Sequence, residues 1–465
     1  VPSCSNEATL VNVLRDEFQF RGFVQSDWWA NHETSSVTKG LDQDMPGTDG
    51  YFDVSKLSKL NDTKAVDNAV TNLLAAMYHM NALNTTRCTA PAKDGCLASN
   101  VTSEKHRDLA ERLATESIVL LRNENETLPL QNEKIAVIGS VASARQSDGW
   151  GPFHWFEGGD YYSGGGTWFE NCDISKKKRK TKMTSKHTGS GHVTAARVKT
   201  PLEGILEGVN GDESRLVISD SDNIDKAVKA SRDADVAIVL VGTSSQEGTY
   251  FFFPILVFHT TFTFCTNTGK DRKDLSLDHD ADKLIRTLAE EVGDSTSIVV
   301  LIQAPGAVII TPWIDLVDAC AIMFLGGQQT GDAWRNVVFG EHNPTGRLPL
   351  MLPKSESDTI PPETGHVVTY VEGTKTSYRN PNFNFTFPFG FGLSYTSFEF
   401  SNLTCASDAD EVVLRIDVKN NGQVPGQAVP QLYVSFPDNP ISLLKGFQRT
   451  DMLNPGETQR QVEFR

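Results

Sequence analysis

Hydrophobic positions fall into three successive patterns along the chain. From Lys134 to about residue 340, short continuous apolar runs alternate with amphipathic stretches. The runs cover residues 135–138, 216–218, 236–241, 298–302 and 320–325, and helices are predicted between them at about 224–234, 280–292 and 332–338. Strands without polar alternation are buried on both faces, so this region predicts a mainly parallel sheet with helices on either side. Beyond Phe398 the pattern becomes alternation. Residues 412–418, 431–435 and 459–464 read as half-buried strands, with Asn420-Asn-Gly and Asn454-Pro-Gly-Glu as turns. That predicts a β-sandwich, too short here to be complete.

The first third is helical with one exception. Residues 6–18 place Leu10, Val13, Leu14 and Phe18 on one helical face, and residues 62–83 align Val66, Val70, Leu73, Leu74 and Met77 behind an Asp62 or Thr63 cap. Residues 106–121 turn Leu109, Ala110, Leu113, Ile118 and Leu121 inward, and 123–131 read as a polar linker. The exception is Gly22-Phe-Val-Gln-Ser26, a short apolar run that predicts a buried strand. Helix, tight glycine turn and strand make one αβ unit of a parallel α/β fold. Such a unit cannot bury its own faces, so its partners are expected upstream.

The strand ends at Asp27, with Trp28 and Trp29 behind it. A carboxylate at the C-terminal end of a buried strand is where α/β enzymes place their chemistry. Aromatic faces beside it suit a sugar ring, with its apolar C–H faces and polar edges. Locally, a cap on the following turn and two core tryptophans explain the same residues equally well.

Composition narrows the class. The chain has 465 residues, ordinary hydrophobic (39%) and charged (22%) content, and net charge −16, which argues against a nucleic-acid partner. No run of about 20 uncharged apolar residues predicts a membrane span. The chain opens on Val1 without a signal peptide and stops after a strand-like segment, so both ends read as cut. Six sequons, at Asn61, Asn84, Asn100, Asn125, Asn384 and Asn402, favour a secreted glycoprotein. Of the 7 cysteines, Cys88 and Cys96 flank a Pro/Gly-containing loop and are the best local disulfide candidates. No Cys/His spacing resembles a metal site, and Gly139-Ser-Val-Ala-Ser after the first parallel strand lacks the dinucleotide fingerprint, so no metal or cofactor is expected.

Two segments interrupt these patterns. Residues 167–188, which carry Lys176-Lys-Lys-Arg-Lys180, split a glycine loop, and residues 249–270 carry Phe251-Phe-Phe in a loop position. Each begins with Thr after Gly, as translation of a retained intron starting in GT would. A pair of surface insertions is the other reading.

Several motifs stand in order. Gly22-Phe-Val-Gln-Ser-Asp-Trp28 is followed by Gly40-Leu-Asp-Gln-Asp-Met-Pro-Gly47, Val119-Leu-Leu-Arg-Asn-Glu-Asn125 and Leu128-Pro-Leu130. Later come Phe339-Gly-Glu-His-Asn-Pro-Thr-Gly-Arg-Leu-Pro349, Phe387-Pro-Phe-Gly-Phe-Gly-Leu-Ser-Tyr395, Gln431-Leu-Tyr-Val and Gly446-Phe-Gln. Together they resemble glycoside hydrolase family 3, the β-glucosidase and β-xylosidase group. The resemblance implies an α/β chain: residues 1–60 a remnant of a (β/α)₈ barrel, 61–131 a helical segment and linker, 132–396 an α/β/α sandwich, and 397–465 an incomplete fibronectin-III-like domain. It implies an exo-acting β-glucosidase that hydrolyses terminal β-D-glucosyl units with retention. A β-xylosidase or exo-glucanase of the same family, or an inactive carbohydrate-binding fragment, are the alternatives.

A retaining glycosidase needs a nucleophile and an acid/base about 5–5.5 Å apart. By resemblance Asp27 is the nucleophile. Glu247, in Ser244-Ser-Gln-Glu-Gly248 after a predicted strand, resembles the acid/base of a Ser-x-Glu-Gly…Asp-Arg pattern completed by Asp271-Arg272. Trp28 is a candidate sugar-stacking face, and Trp150 and Trp155 are aglycone-side candidates for which core or loop packing is the stronger claim. Asp42 and Asp44 are acidic and nearby, and turn-capping explains them as well.

Overall fold

The computed structural model describes residues 2–60, 62–84, 101–143, 198–243, 254–257, 260–263, 272–361, 369–407, 412–437 and 439–464. The chain divides into two compact units, Val1–Val101 and Thr102–Arg465.

The first unit is built on helices. Ala8–Glu17 forms a π-helix, with Phe18 N bonded to Val13 O five residues back. This departs from the expected α-helical face. The wider turn brings Leu10, Val11, Leu14 and Arg15 to the half-buried side and leaves Val13 and Phe18 exposed. Helix α1, Thr63–His79, starts as expected from its Asp62 cap, whose side chain accepts from Ala65 N. Its apolar stripe is only partly covered: Ala69 is buried, while Val70, Leu74 and Met77 are exposed.

The expected buried strand at residues 22–26 is not formed. Only Gln25 makes an isolated parallel bridge, to Gln43. Among the described residues the segment pairs only with residues 42, 43 and 45, too short a pairing to make a ladder. Asp27, Trp28 and Trp29 are consequently exposed, so the tryptophans are not core residues.

The second unit is organised on a six-stranded sheet of order β1-β8-β7-β4-β2-β3. Its strands are β1 Val119–Asn123, β2 Ile135–Ile138, β3 Leu216–Ser219, β4 Val236–Gly242, β7 Ser297–Gln303 and β8 Ala319–Met323. All neighbours are parallel except edge strand β1, which runs antiparallel to β8. The expected helix over 106–121 ends earlier. Helix α2 is Glu104–Ser117, capped by Ser103, and the apolar run that follows becomes β1. Ile118 to Leu121 are all buried, which suits a sheet under helices better than one helical stripe. The expected polar linker is also partly core, since Leu128 and Leu130 are buried.

Helices α2, α3 (Pro201–Gly208) and α6 (Thr330–Val338) cover one face of the sheet, and α4 (Ile224–Arg232) and α5 (Ala281–Val292) the other. Helix α3 was missed because its pattern is short; a Thr200–Glu203 capping box and Pro201 define its start. Two glycines let α3 and α6 touch backbone to backbone. A Cβ on Gly204 would lie 1.9 Å from the Gly331 carbonyl oxygen. At the end of β2, Gly139 adopts φ +101, and a Cβ there would meet Leu240 O at 2.2 Å.

Inside the second aberrant segment, β5 (Pro254–Val257) and β6 (Thr260–Thr263) pair antiparallel and, among the described residues, with no other strand. The first aberrant segment, 167–188, lies outside the described residues.

Toward the C-terminus, β9 (Leu352–Pro353) pairs with β10 (Phe385–Phe387). Strands β11 (Phe398–Ser407), β12 (Val412–Asn420) and β15 (Thr458–Phe464) form one antiparallel sheet, and β13 (Gln431–Phe436) with β14 (Asn439–Phe447) another. Leu432 of the second sheet packs on the Val418–Val462–Phe464 core of the first, so the two face each other. The alternation pattern missed β11 and β14.

Candidate active site

Asp27 sits in a turn pinned from below. Ser26 N donates to Gln43 O (2.9 Å), Met45 N donates to Ser26 Oγ (2.8 Å), and Trp29 N donates to Met45 O (2.9 Å). Asp27 is exposed, and among the described residues its carboxylate accepts only from the Trp28 backbone N–H, at 2.6 Å. It therefore does cap its own turn while remaining exposed to an incoming group. Trp28 is 51% exposed, and Trp29, at φ +55, donates from Nε1 to Thr48 Oγ1. An exposed carboxylate beside two open indole faces suits a sugar ring.

The two other acids in this stretch differ. Asp42 is fully engaged. Its Oδ2 accepts from Arg15 and from Val24 N (2.6 Å), and its Oδ1 accepts from Asn72 Nδ2 (3.0 Å). That occupancy makes it a structural clamp, and Arg15 is a residue that sequence reasoning missed, because an α-helical wheel turns it away. Asp44 is the opposite case: buried at 8% exposure, with no well-formed hydrogen bond to either oxygen among the described residues, although the Asn31 amide and the Asp49 carboxyl adjoin it. Burial first, and then the neighbouring Asp49 charge, push its carboxyl above the usual range. The Cys4 thiol is pushed up by burial and by the charges of Asp44 and Asp27.

In the second unit the candidates fall in segments outside the described residues, and only the flanks of those segments can be placed. Strands β2 and β4 are neighbours, and the chain leaves both at the carboxyl edge, through Gly139–Ser143 and Thr243. The loops that follow carry Trp150, Trp155 and Glu247, all outside the described residues. What is described are the anchors. Thr243 N donates to Gln303 O (3.0 Å), and Thr243 Oγ1 donates to Asp278 Oδ1 (3.2 Å). Arg272, where the chain resumes, donates to Ala307 O at 2.7 Å. Burial lowers its pKa while Asp278, Glu356 and Asp274 oppose that shift. The two ends of the Glu247 segment are thus fixed beside β4 and β7, at the edge where parallel α/β sheets place ligands.

Gln303 ends β7 at this same edge. It is fully buried and neither amide atom is hydrogen-bonded. Its only sequence signal is a polar residue closing the apolar run Ser297-Ile-Val-Val-Leu-Ile-Gln303.

Residues 118–395 match the family described as the Glycosyl hydrolase family 3 C-terminal domain. The chain belongs to glycoside hydrolase family 3. It is 31% identical to "Probable beta-glucosidase L" of Aspergillus terreus, an alignment that spans 99% of this chain and 64% of that protein. It is 30% identical to "Thermostable beta-glucosidase B" of Acetivibrio thermocellus, over 99% of this chain and 56% of that protein. The chain therefore spans under two thirds of the length of these relatives. Among solved structures, the beta-D-glucoside glucohydrolase of Trichoderma reesei superposes with TM-score 0.79 at 26% identity, covering 100% of this chain and 65% of that one.

The remaining sequence candidates divide by location. Asn125, Asn384 and Asn402 are exposed, and Asn384 and Asn402 donate to Asp358 and Asp417. Asn61, Asn100, Cys88 and Cys96 lie outside the described residues, as does the side chain of Asn84. Among the described residues, Cys4, Cys320 and Cys405 are free. No described group of three or more His, Cys, Asp or Glu could hold a metal ion.

Proposed function

We propose that this family 3 chain is part of a secreted, retaining exo-β-glucosidase. The observation that carries the reading is the Asp27 turn: an exposed carboxylate pinned at both ends and flanked by Trp28. Asp27 attacks the anomeric carbon of a terminal β-D-glucosyl unit, the glycosidic bond breaks, and a glycosyl-aspartate forms. Glu247 gives its proton to the leaving oxygen and then takes one from the water that hydrolyses the intermediate. The anchoring of Thr243 and Arg272 at the carboxyl edge supports a catalytic use of the segment between them. The beta-glucosidase names of the relatives support glucose as the sugar.

In this reading residues 1–60 are the end of a (β/α)₈ barrel, and residues 397–465 are part of a fibronectin-III-like domain. The two facing sheets after Phe398 support the latter. The exposed sequon asparagines support glycosylation in a secreted protein.

A second reading, a sugar-binding scaffold without turnover, is favoured by the openness of Asp27 and Trp28 in this chain. Release of nitrophenol from an aryl β-glucoside decides between them. The full-length protein should turn it over, and Asp27→Ala should lower kcat by roughly 10³-fold or more, because the covalent step is lost. Near-parental turnover by that variant would remove Asp27 from the nucleophile role.

A further inference from the structure

The Asp44 side chain has no role in the mechanism above, yet it is buried beside the Asp27 turn's support. It is buried with both oxygens unpartnered, and Oδ1 of Asp49 and Nδ2 of Asn31 are buried and unpartnered as well. Asn31 has no freedom to turn its oxygen toward Asp44. Its Oδ1 already accepts from Ser36 Oγ (2.7 Å) and Glu33 N (3.4 Å), and Ser36 is tied in turn to Ser5. The amide thus presents its donor side to the acid pair.

An ionised carboxylate buried without partners is strongly unfavourable and takes up a proton instead. Two carboxyls side by side reach the same end by sharing one proton, which converts repulsion into a hydrogen bond. The position of Asp44 gives such a bond leverage. Its two neighbours in sequence, Gln43 and Met45, make three hydrogen bonds to Ser26 and Trp29, the residues bracketing the Asp27 turn.

We propose that Asp44 is a positioning residue for Asp27: one proton shared by the Asp44 and Asp49 carboxyls, faced by the Asn31 amide, fastens the 43–45 segment that holds the Asp27 turn at both ends. The proposal rests on the nucleophile reading of Asp27. The titratable groups facing Asp44 are Asp49 and, from the Ser3–Ser5 turn, Cys4. Neither carries a positive charge, so loss of the shared proton sets the Asp44 and Asp49 charges against each other with no cation to offset them, and the clamp loosens as pH rises.

Two variants of the full-length protein test this, by turnover of an aryl β-glucoside and by melting temperature, each across pH. Asp44→Ala removes the hydrogen bond and should lower kcat on the order of tenfold or more, with KM changed less than about twofold. Asp44→Asn replaces the shared proton with an N–H that does not titrate. It should recover most of that loss, and its kcat relative to the parent should rise with pH. Its melting temperature should also fall less than the parent's between pH 4 and pH 8. Parental kcat in Asp44→Ala, or parallel melting curves for the parent and Asp44→Asn, would overturn the proposal. The melting comparison stands without Asp27, so turnover that survives Asp27→Ala sinks the nucleophile reading and leaves the shared proton to be judged alone. If Asp44→Ala does not fold, Asp44→Asn carries both readouts.

Discussion

Arg15 reaches from the π-helix to the Asp42 carboxylate, and the same guanidinium donates to Gly22 O at 3.0 Å. This pair holds the start of the Asp27 segment, because Asp42 also receives Val24 N. The Asp42 side chain is 4% exposed and Arg15 18%. Asp42→Ala would leave a largely buried guanidinium unpaired and free Val24 N, so the first unit should lose about 3 kcal/mol. Urea denaturation measures it, and a change below about 0.5 kcal/mol would show that the pair is held open to solvent.

The close approach of α3 and α6 makes a second prediction. Gly204→Ala places its methyl 1.9 Å from Gly331 O, inside van der Waals contact with backbone that cannot move alone. The helices must separate, at a cost of about 1–3 kcal/mol. Thermal melting checks this: unchanged stability would mean that α3 is loosely docked.

These two contacts show where the sequence was readable. The parallel strands were, because runs such as Val236–Gly242 are buried on both faces and nothing else explains seven apolar or small residues in a row. Edge elements were not. Strand β1 reads as a continuation of helix α2 because Ile118 and Leu121 fall in helical register, and only the neighbouring β8 makes it a strand. The π-helix was not legible either: its apolar positions fit an α-helical face, and Arg15, which reaches Asp42, stands off that face. The Asp27 motif named the candidate but not its support. Asp44, Asp49 and Asn31 have no periodicity in sequence, and only folding sets Asp49 and Asn31 beside Asp44.

Gln303 carries the third prediction. Its amide is fully buried at the carboxyl edge with no hydrogen bond. If no ligand uses it, an apolar replacement of similar shape removes an unpaid desolvation penalty. Gln303→Met should then stabilise the chain by about 1 kcal/mol. A ligand-facing role gives the reverse in function, with KM for an aryl β-glucoside rising in the full-length protein. A variant that is both less stable and unaltered in KM would contradict both readings.

The last prediction concerns acid stability. Hydrogen bonds from Lys39, then Ser5 and Ser35, hold Glu33 at about 2, below its ordinary 4.5. The carboxylate accepts from Lys39 Nζ at 2.8 Å and Ser35 Oγ at 2.7 Å, next to the Asn31–Ser36 network. A depressed folded-state pKa means that the unfolded chain binds the proton first. The contribution is therefore fully present above pH 4.5 and is lost as pH falls toward 2. The side chain is 41% exposed, so solvent and salt weaken the effect. Melting temperatures of the parent and Glu33→Gln should differ at pH 6 and converge near pH 2, with the pH 6 difference shrinking in high salt. A gap that stays constant from pH 6 to pH 2 would mean that the lost contacts are neutral hydrogen bonds, with no part played by the carboxylate charge.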